Sequence, residues 1–191
     1  MTLIQLLSAS PQNTDQVQMQ EINNQLLQMT STPQFYQECI AILLNPETSQ
    51  GIKLNAMGVF HRLGIKQFWR QFDPQLKSAI LSQIPSILVS TLTMPVCETL
   101  SDDIISLAIP SGEWPDFYPI LLQLFEKDEN YLRAALILTK SMCKLIKNPD
   151  NARSPLYPQS VKVHEEFSQL ILPILTKICS EVNDFSILNY N

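Results

Sequence analysis

Apolar residues recur along this chain at spacings of three and four, which is the period of an α-helix and not the alternation of a β-strand. Only four glycines occur in 191 residues, fewer than the turns of a large β-sheet would need. The sequence therefore predicts an all-α fold. The clearest helical face comprises Tyr131, Ala134, Ala135, Leu138, Met142 and Leu145, and a second comprises Val163, Phe167, Leu170, Ile171, Ile174 and Ile178.

Four of the 13 prolines are regularly spaced, about 40 residues apart, and each precedes or opens an apolar helical segment. A capping side chain comes directly before two of them, which favours a helix start at each. The alternative is an irregular helical bundle in which four of many prolines are evenly spaced by chance. The four are Pro33, Pro74, Pro115 and Pro155, and the capping side chains are Asp73 and Ser154.

A period near 40 residues with two helices per unit is typical of helical-hairpin repeats of the HEAT and armadillo kind. We therefore predict an α-solenoid of about four HEAT-like helical hairpins within one domain spanning residues 1–191. In such a fold each hairpin buries its apolar face against its neighbours. The hairpins are predicted at about residues 15–44, 48–91, 95–125 and 129–180.

The two ends of the predicted solenoid differ in character. The apolar segment LIQLLSAS near the start lacks a positively charged leader and is interpreted as a helix, and QVQMQEINNQ after it is rich in amides and suits a polar cap. The tail EVNDFSILNYN brings Phe185, Ile187 and Leu188 close together. We expect these residues to begin a further repeat of a longer chain; the alternative is a tail that folds back over the last helix.

Composition and motifs argue against several classes of function. With 18 acidic and 13 basic residues, the chain lacks the excess of Lys and Arg that binds phosphate backbones, so no nucleic-acid partner is expected. No apolar run approaches the ~20 residues that cross a bilayer, so no membrane insertion is expected. His61 and His164 belong to no zinc-ligand motif, and the glycines do not cluster into a phosphate-binding loop. We predict neither enzymatic activity nor a metal or cofactor.

The four cysteines, Cys39, Cys97, Cys143 and Cys179, are widely separated, and most lie among aliphatic residues. Thiols in such surroundings behave as small hydrophobic groups. We expect reduced thiols in an intracellular protein. A nucleophilic Cys39 is the alternative, but a buried helical thiol has a raised pKa, which favours a structural role.

Residues 60–69, FHRLGIKQFW, place a glycine and several aromatic residues on one predicted helix. We expect Gly64 to permit the close approach of a neighbouring helix, at some cost in helix propensity. Phe60 and Phe68 are predicted to pack inward, and Trp69 to fill the space where the helix ends. For Trp114, as for Trp69, core packing is preferred to ligand stacking.

Three segments together resemble the N-terminal region of the importin-β superfamily, the karyopherins that carry cargo through nuclear pores. Residues 52–69 are similar to the second-repeat helix of that family, with Arg62 at its lysine and Trp69 at its terminal tryptophan. Residues 100–125 are similar to the third repeat, which Trp114 and Pro115 match. Residues 133–146, RAALILTKSMCKLI, followed by Arg153, resemble the fourth repeat of the importin-eleven type.

Two positions depart from the family pattern. Leu54 stands where an arginine is usual, with Lys53 beside it, and Ile109 and Pro110 stand where an aspartate is usual before the Trp-Pro pair. These departures concern the subgroup and the hydrogen bonds between helices more than the fold.

The resemblance implies a nuclear transport receptor of the cytoplasm, nucleus and nuclear pore. Its N-terminal repeats would bind the Ran GTPase in the GTP form, and protein cargo and nucleoporins would be its further partners. The polar faces of the second helices are the side expected to meet Ran. By helical phase, the candidate residues are Gln37, Lys77, Ser78, Gln123 and Lys127.

Two other functions remain open at this stage. A HEAT-repeat scaffold or adaptor outside nuclear transport would share the periodicity but would not bind Ran. A helical accessory or hydrolase domain would require a clustered active site.

Overall fold

The structure, a computed structural model, describes residues 2–9, 16–30, 32–90, 93–147 and 157–181. Within these ranges the chain folds into nine α-helices with no β-strand, which confirms the all-α prediction. Ser154, Pro155, Phe185, Ile187 and Leu188 lie outside the described residues. The helices are α1 (Leu3–Ala9), α2 (Gln16–Met29), α3 (Pro33–Leu44), α4 (Gln50–Val59), α5 (Pro74–Val89), α6 (Met94–Ala108), α7 (Phe117–Phe125), α8 (Glu129–Lys147) and α9 (Tyr157–Glu181).

Two of the spaced prolines begin helices as predicted. Pro33 is the first residue of α3 and Pro74 the first of α5. The Asp73 carboxylate caps α5, accepting a hydrogen bond from the Leu76 backbone N–H at 2.9 Å. Pro115 lies instead in the turn two residues before α7.

Between α4 and α5 the chain forms a π-helix, Phe60–Phe68, followed by a short 3₁₀ turn, Trp69–Gln71. The π-helix covers nearly all of the stretch FHRLGIKQFW. Gly64 lies against the Tyr36 ring of α3, and a Cβ atom on it would be only 2.6 Å from Tyr36 Cε1. The predicted close approach at Gly64 is therefore confirmed. Sequence periodicity predicted an ordinary α-helix here, and the longer turn is a finding of the structure.

An aromatic cluster fills the space between α3 and the π-helix. Tyr36, Phe60 and Trp69 are almost fully buried, as predicted for the latter two, whereas Phe68 is half-buried. The Tyr36 ring packs edge-on against Phe72 with 4.5 Å between ring centroids. Its hydroxyl donates to the Thr30 carbonyl oxygen at 2.7 Å, so the ring is held at both ends.

Helix contacts run mainly between elements near each other in the chain. α1 packs on α3 and α4, α3 packs on α4 and α5, and the π-helix packs on α6. α8 packs on α6 and α7 but also on α5, across two intervening helices. A regular solenoid has contacts only between adjacent repeats, and the contact of α5 with α8 departs from that pattern. The HEAT-like solenoid stays a prediction.

The two apolar faces predicted from the sequence differ in burial. On α8, Ala134 and Leu138 are fully buried, and the small alanine allows α8 to approach its neighbours closely. On α9, Phe167 and Ile171 are buried, but Leu170 is 41% exposed. The buried strip of α9 is therefore narrower than the apolar periodicity predicted.

Candidate functional site

The four cysteines differ in burial: Cys39 and Cys97 are buried, Cys143 is half-buried and Cys179 is exposed. Cys39 is fully buried, and burial, together with the neighbouring Glu38 carboxylate, raises its pKa well above the usual range. Burial also raises the pKa of Cys97 to about 11. Both thiols therefore stay protonated near neutral pH and act as small hydrophobic groups. In the part of the chain that the structure describes, no cluster of His, Cys, Asp and Glu is arranged to hold a metal ion.

Four of the five candidate Ran-binding residues are exposed. Gln37 lies on α3 and Ser78 on α5, and these two helices pack on each other. Gln123 lies on α7, with Lys127 just after it, and α7 packs on α8. The Lys127 ammonium is 4.4 Å from the centroid of the Tyr131 ring, a cation–π contact that still leaves its charge exposed to a partner.

Lys77, the fifth candidate, is engaged within the protein. Its side chain is only 12% exposed, and its Nζ lies 2.6 Å from Glu113 Oε1. The same ammonium lies 5.7 Å from the centroid of the Trp69 ring. Helical phase predicted an exposed Lys77 and gave no sign of this ion pair. The available signal was an acidic residue about one predicted period later in the sequence.

Glu113 is the centre of a polar cluster between α5, the 3₁₀ turn and the turn before α7. Trp69 Nε1–H donates to Glu113 Oε2 at 2.8 Å, and Lys77 donates to the other carboxylate oxygen. Partial burial raises the pKa of Glu113, but the hydrogen bonds from Lys77 and Trp69 and the Lys77 charge outweigh it, so the pKa lies below its usual value. Gly112, with φ of +69°, makes the turn that presents Glu113 to these donors.

The side chains of α6 connect the helices on either side of it. Glu98 accepts from Lys140 of α8 at 2.7 Å. Four residues further on, and so on the same face, Asp102 accepts from Lys144 at 2.6 Å and from the Ser141 hydroxyl at 2.6 Å.

Asp103 comes next in the chain and is turned by about 100° from Asp102. It contacts the π-helix instead of α8, since its Oδ2 accepts from His61 Nε2 and lies 3.4 Å from Lys66 Nζ. The carboxylates of α6 therefore contact basic side chains on two elements, the preceding π-helix and the following α8.

The sequence separations of these contacts range from 36 residues, for Lys77 and Glu113, to 44 residues, for Trp69 and Glu113. The pair of His61 and Asp103 and the pair of Glu98 and Lys140 are each separated by 42 residues, and Trp69 is 44 residues from Glu113. This separation matches the period of about 40 residues in the prolines. The polar contacts therefore join segments about 40 residues apart in the sequence.

No protein-family model, no curated protein and no solved structure matches this chain. The relationship to the importin-β superfamily therefore remains a prediction from the residues 52–69, 100–125 and 133–146. Among the described helices, none is both long enough and apolar enough to cross a membrane.

Proposed function

We propose that the protein is a helical-repeat binding scaffold of nuclear transport that binds Ran in the GTP form. Protein cargo and nucleoporins are its further proposed partners, and the cytoplasm, nucleus and nuclear pore its proposed location. The observation that supports a repeat scaffold is the set of contacts, about 40 residues apart in the sequence, that joins the π-helix, α6 and α8. The Ran and nuclear-transport parts of the proposal rest on the resemblance of residues 52–69, 100–125 and 133–146 to the importin-β superfamily. A repeat of about 40 residues with two helices per unit is an architecture used for extended protein-binding surfaces.

The exposed polar residues of α3, α5 and α7 are the proposed contact surface for Ran. Gln37, Ser78 and Gln123 are neutral hydrogen-bonding groups, and Lys127 adds an exposed positive charge. Lys77 is removed from this set, because its side chain is only 12% exposed and its ammonium is already paired with Glu113.

A binding titration with nucleotide-loaded Ran tests the proposal. The chain should bind GTP-locked Ran and fail to bind GDP-loaded Ran at the same concentration. Lys127→Glu should weaken binding of the GTP form by about fivefold, or roughly 1 kcal/mol, the scale of one exposed charge contact. Lys147→Glu, which reverses an exposed charge on the last turn of α8, is the matched control and should leave the affinity unchanged.

Equal binding of both nucleotide forms, or no binding of either by a chain with a native circular dichroism spectrum, contradicts the proposal. Those results favour a scaffold or adaptor outside nuclear transport. A fusion of the chain to a fluorescent protein that is absent from the nuclear rim would contradict the proposed location.

A further inference from the structure

The π-helix Phe60–Phe68 is unusually long. π-helices are rare and occur mostly as single-turn bulges within α-helices, frequently at functional sites. This one runs for nine residues and follows directly on α4, whose last residue is Val59. A backbone geometry of this kind persists only when surrounding contacts select it over the ordinary α-helix.

Asp103 supplies the first of these contacts, because it binds two side chains that lie five residues apart. His61 Nε2 and Lys66 Nζ both approach the same oxygen, Asp103 Oδ2. A carboxylate only accepts hydrogen bonds, so His61 Nε2 carries the hydrogen. In an α-helix, residues five apart point in directions about 140° apart and would not meet one carboxylate. In a π-helix, with its i to i+5 hydrogen bonds, they lie on the same side of the helix.

Tyr36 supplies the second contact, from α3. Its ring occupies the space where a side chain at position 64 would begin, so only a glycine fits at this position. The Tyr36 hydroxyl is bound to Thr30, and the ring packs on Phe60 and Phe72, so the ring has little freedom to move aside. The π-helix is therefore held from two helices, by Asp103 on α6 and by Tyr36 on α3.

The register of the π-helix also fixes the direction of Trp69, the residue that follows it. Nine residues make about 2.5 turns of α-helix but fewer turns of π-helix. A change from π to α would therefore rotate Trp69 about the helix axis. In the observed register, Trp69 Nε1–H donates to Glu113 Oε2 at 2.8 Å, and a rotation of Trp69 would carry the indole N–H away from this acceptor.

We propose that residues 60–68 form a two-register element, π or α, which the contacts of Asp103 with His61 and Lys66 hold in the π form. A change of register reaches Glu113 through its hydrogen bond with Trp69. The contacts of Asp103 with the π-helix and the hydrogen bond of Trp69 with Glu113 then depend on the same equilibrium between the π and α registers. Weakening the Asp103 contacts releases the Trp69 contact, although the two sites are separate. This inference does not depend on the proposed function.

The neighbouring carboxylates of α6 provide a matched pair of variants. Asp103→Asn removes the charge that faces the π-helix, whereas Asp102→Asn removes the charge that faces α8. The chain contains two tryptophans, so a ¹⁵N-labelled sample gives two indole N–H signals, and Trp114→Phe assigns them. Amide hydrogen exchange over residues 60–68 gives a second, independent readout.

Asp103→Asn should shift the Trp69 indole signal and speed its exchange with solvent, because the indole loses its acceptor. The amides of residues 60–68 should exchange faster as well. Asp102→Asn should leave both readouts as in the wild type. If Asp103→Asn leaves the Trp69 signal unchanged, or if Asp102→Asn moves it equally, the proposal is wrong.

Lys66→Met is the second variant. It tests the link between the Asp103 contacts and Trp69 if Asp103→Asn fails to fold. It removes the ammonium group that faces Asp103 and keeps the contact of His61 with Asp103. It should move the Trp69 signal in the same direction by a smaller amount. An unchanged Trp69 signal in a folded Lys66→Met protein overturns the proposal.

Discussion

At the scale of single residues, the close packing of the π-helix on α3 depends on side chains that cannot move aside. Gly64 and Tyr36 meet where the π-helix crosses α3, and the tyrosine hydroxyl is bound to Thr30. Gly58, only six residues earlier on α4, has open space where its Cβ would be. The two glycines therefore have different roles, although the sequence gives them the same helical surroundings.

Gly64→Ala should destabilise the protein by about 1–3 kcal/mol, the usual cost of inserting a group into a filled core. The added Cβ would meet Tyr36 Cε1 at 2.6 Å, and this clash outweighs the better helix propensity of alanine. Urea denaturation measures the change in the free energy of unfolding. Gly58→Ala is the control and should be neutral or stabilising by up to about 1 kcal/mol. Equal effects of the two substitutions would contradict this assignment of roles.

At the scale of elements, α6 is a bridge whose acidic residues face two ways. Glu98 and Asp102 contact α8, and Asp103 contacts the π-helix. Local sequence accounts for this arrangement, since positions four apart share a helix face and the next position is turned by about 100°. The pairs are partly exposed, so each contributes little to stability alone, but together they fix which faces of the helices meet.

A double-mutant cycle with Asp102→Ala and Lys144→Ala should give a coupling energy of about 0.5–1 kcal/mol in thermal or urea unfolding. The coupling should fall in 1 M salt, where the screening length is about 3 Å. The exposed pair of Lys162 and Glu166 on α9, with 3.6 Å between charged atoms, is the comparison and should couple less. A salt-independent coupling between positions 102 and 144 would indicate that packing, and not charge, joins α6 to α8.

At the scale of the whole molecule, contacts between helices are polar at the rim and apolar inside. The polar contacts link residues separated by about one sequence period, and the buried cluster continues from α1 to α9. α8 joins three helices, α5, α6 and α7, so the C-terminal half is more compact than a strictly linear array. Stability is therefore expected to depend on contacts between helices. The hydrogen bonds of Glu113 with Trp69 and Lys77 are two such contacts.

Glu113 should make the protein sensitive to acid. The pKa of Glu113 in the folded protein lies below its value of about 4.5 in the unfolded chain. The ionised Glu113 therefore contributes to stability above pH 4.5, and this contribution is lost as the pH falls through the folded-state pKa. Glu113→Gln should cost about 1–2 kcal/mol at pH 7, since Lys77 loses its partner. The Glu113→Gln protein should also lose less of its free energy of unfolding than the wild type as the pH falls below 5. Urea unfolding at several pH values measures this, and parallel curves for the two proteins would contradict the prediction.

The sequence by itself determined the class of secondary structure, the helix starts at Pro33 and Pro74 and the buried face of α8, because apolar period and capping act within a few residues of the chain. It identified Gly64 as a point of close approach and Trp69 as a buried side chain at a helix end, and both were confirmed. The exposure of Gln37, Ser78 and Gln123 also followed from helical phase. These features depend on local geometry, which a single sequence contains.

Only the tertiary structure decided the register of residues 60–68, the ion pair of Lys77 and the exposure of Leu170. The π-helix depends on Asp103 and Tyr36, which lie on other helices. Lys77 is neutralised by a glutamate 36 residues away, and the face of α9 that is covered depends on the position of its neighbours. Each of these three features depends on contacts between segments that are distant in the sequence, and local propensity carries no information about such contacts.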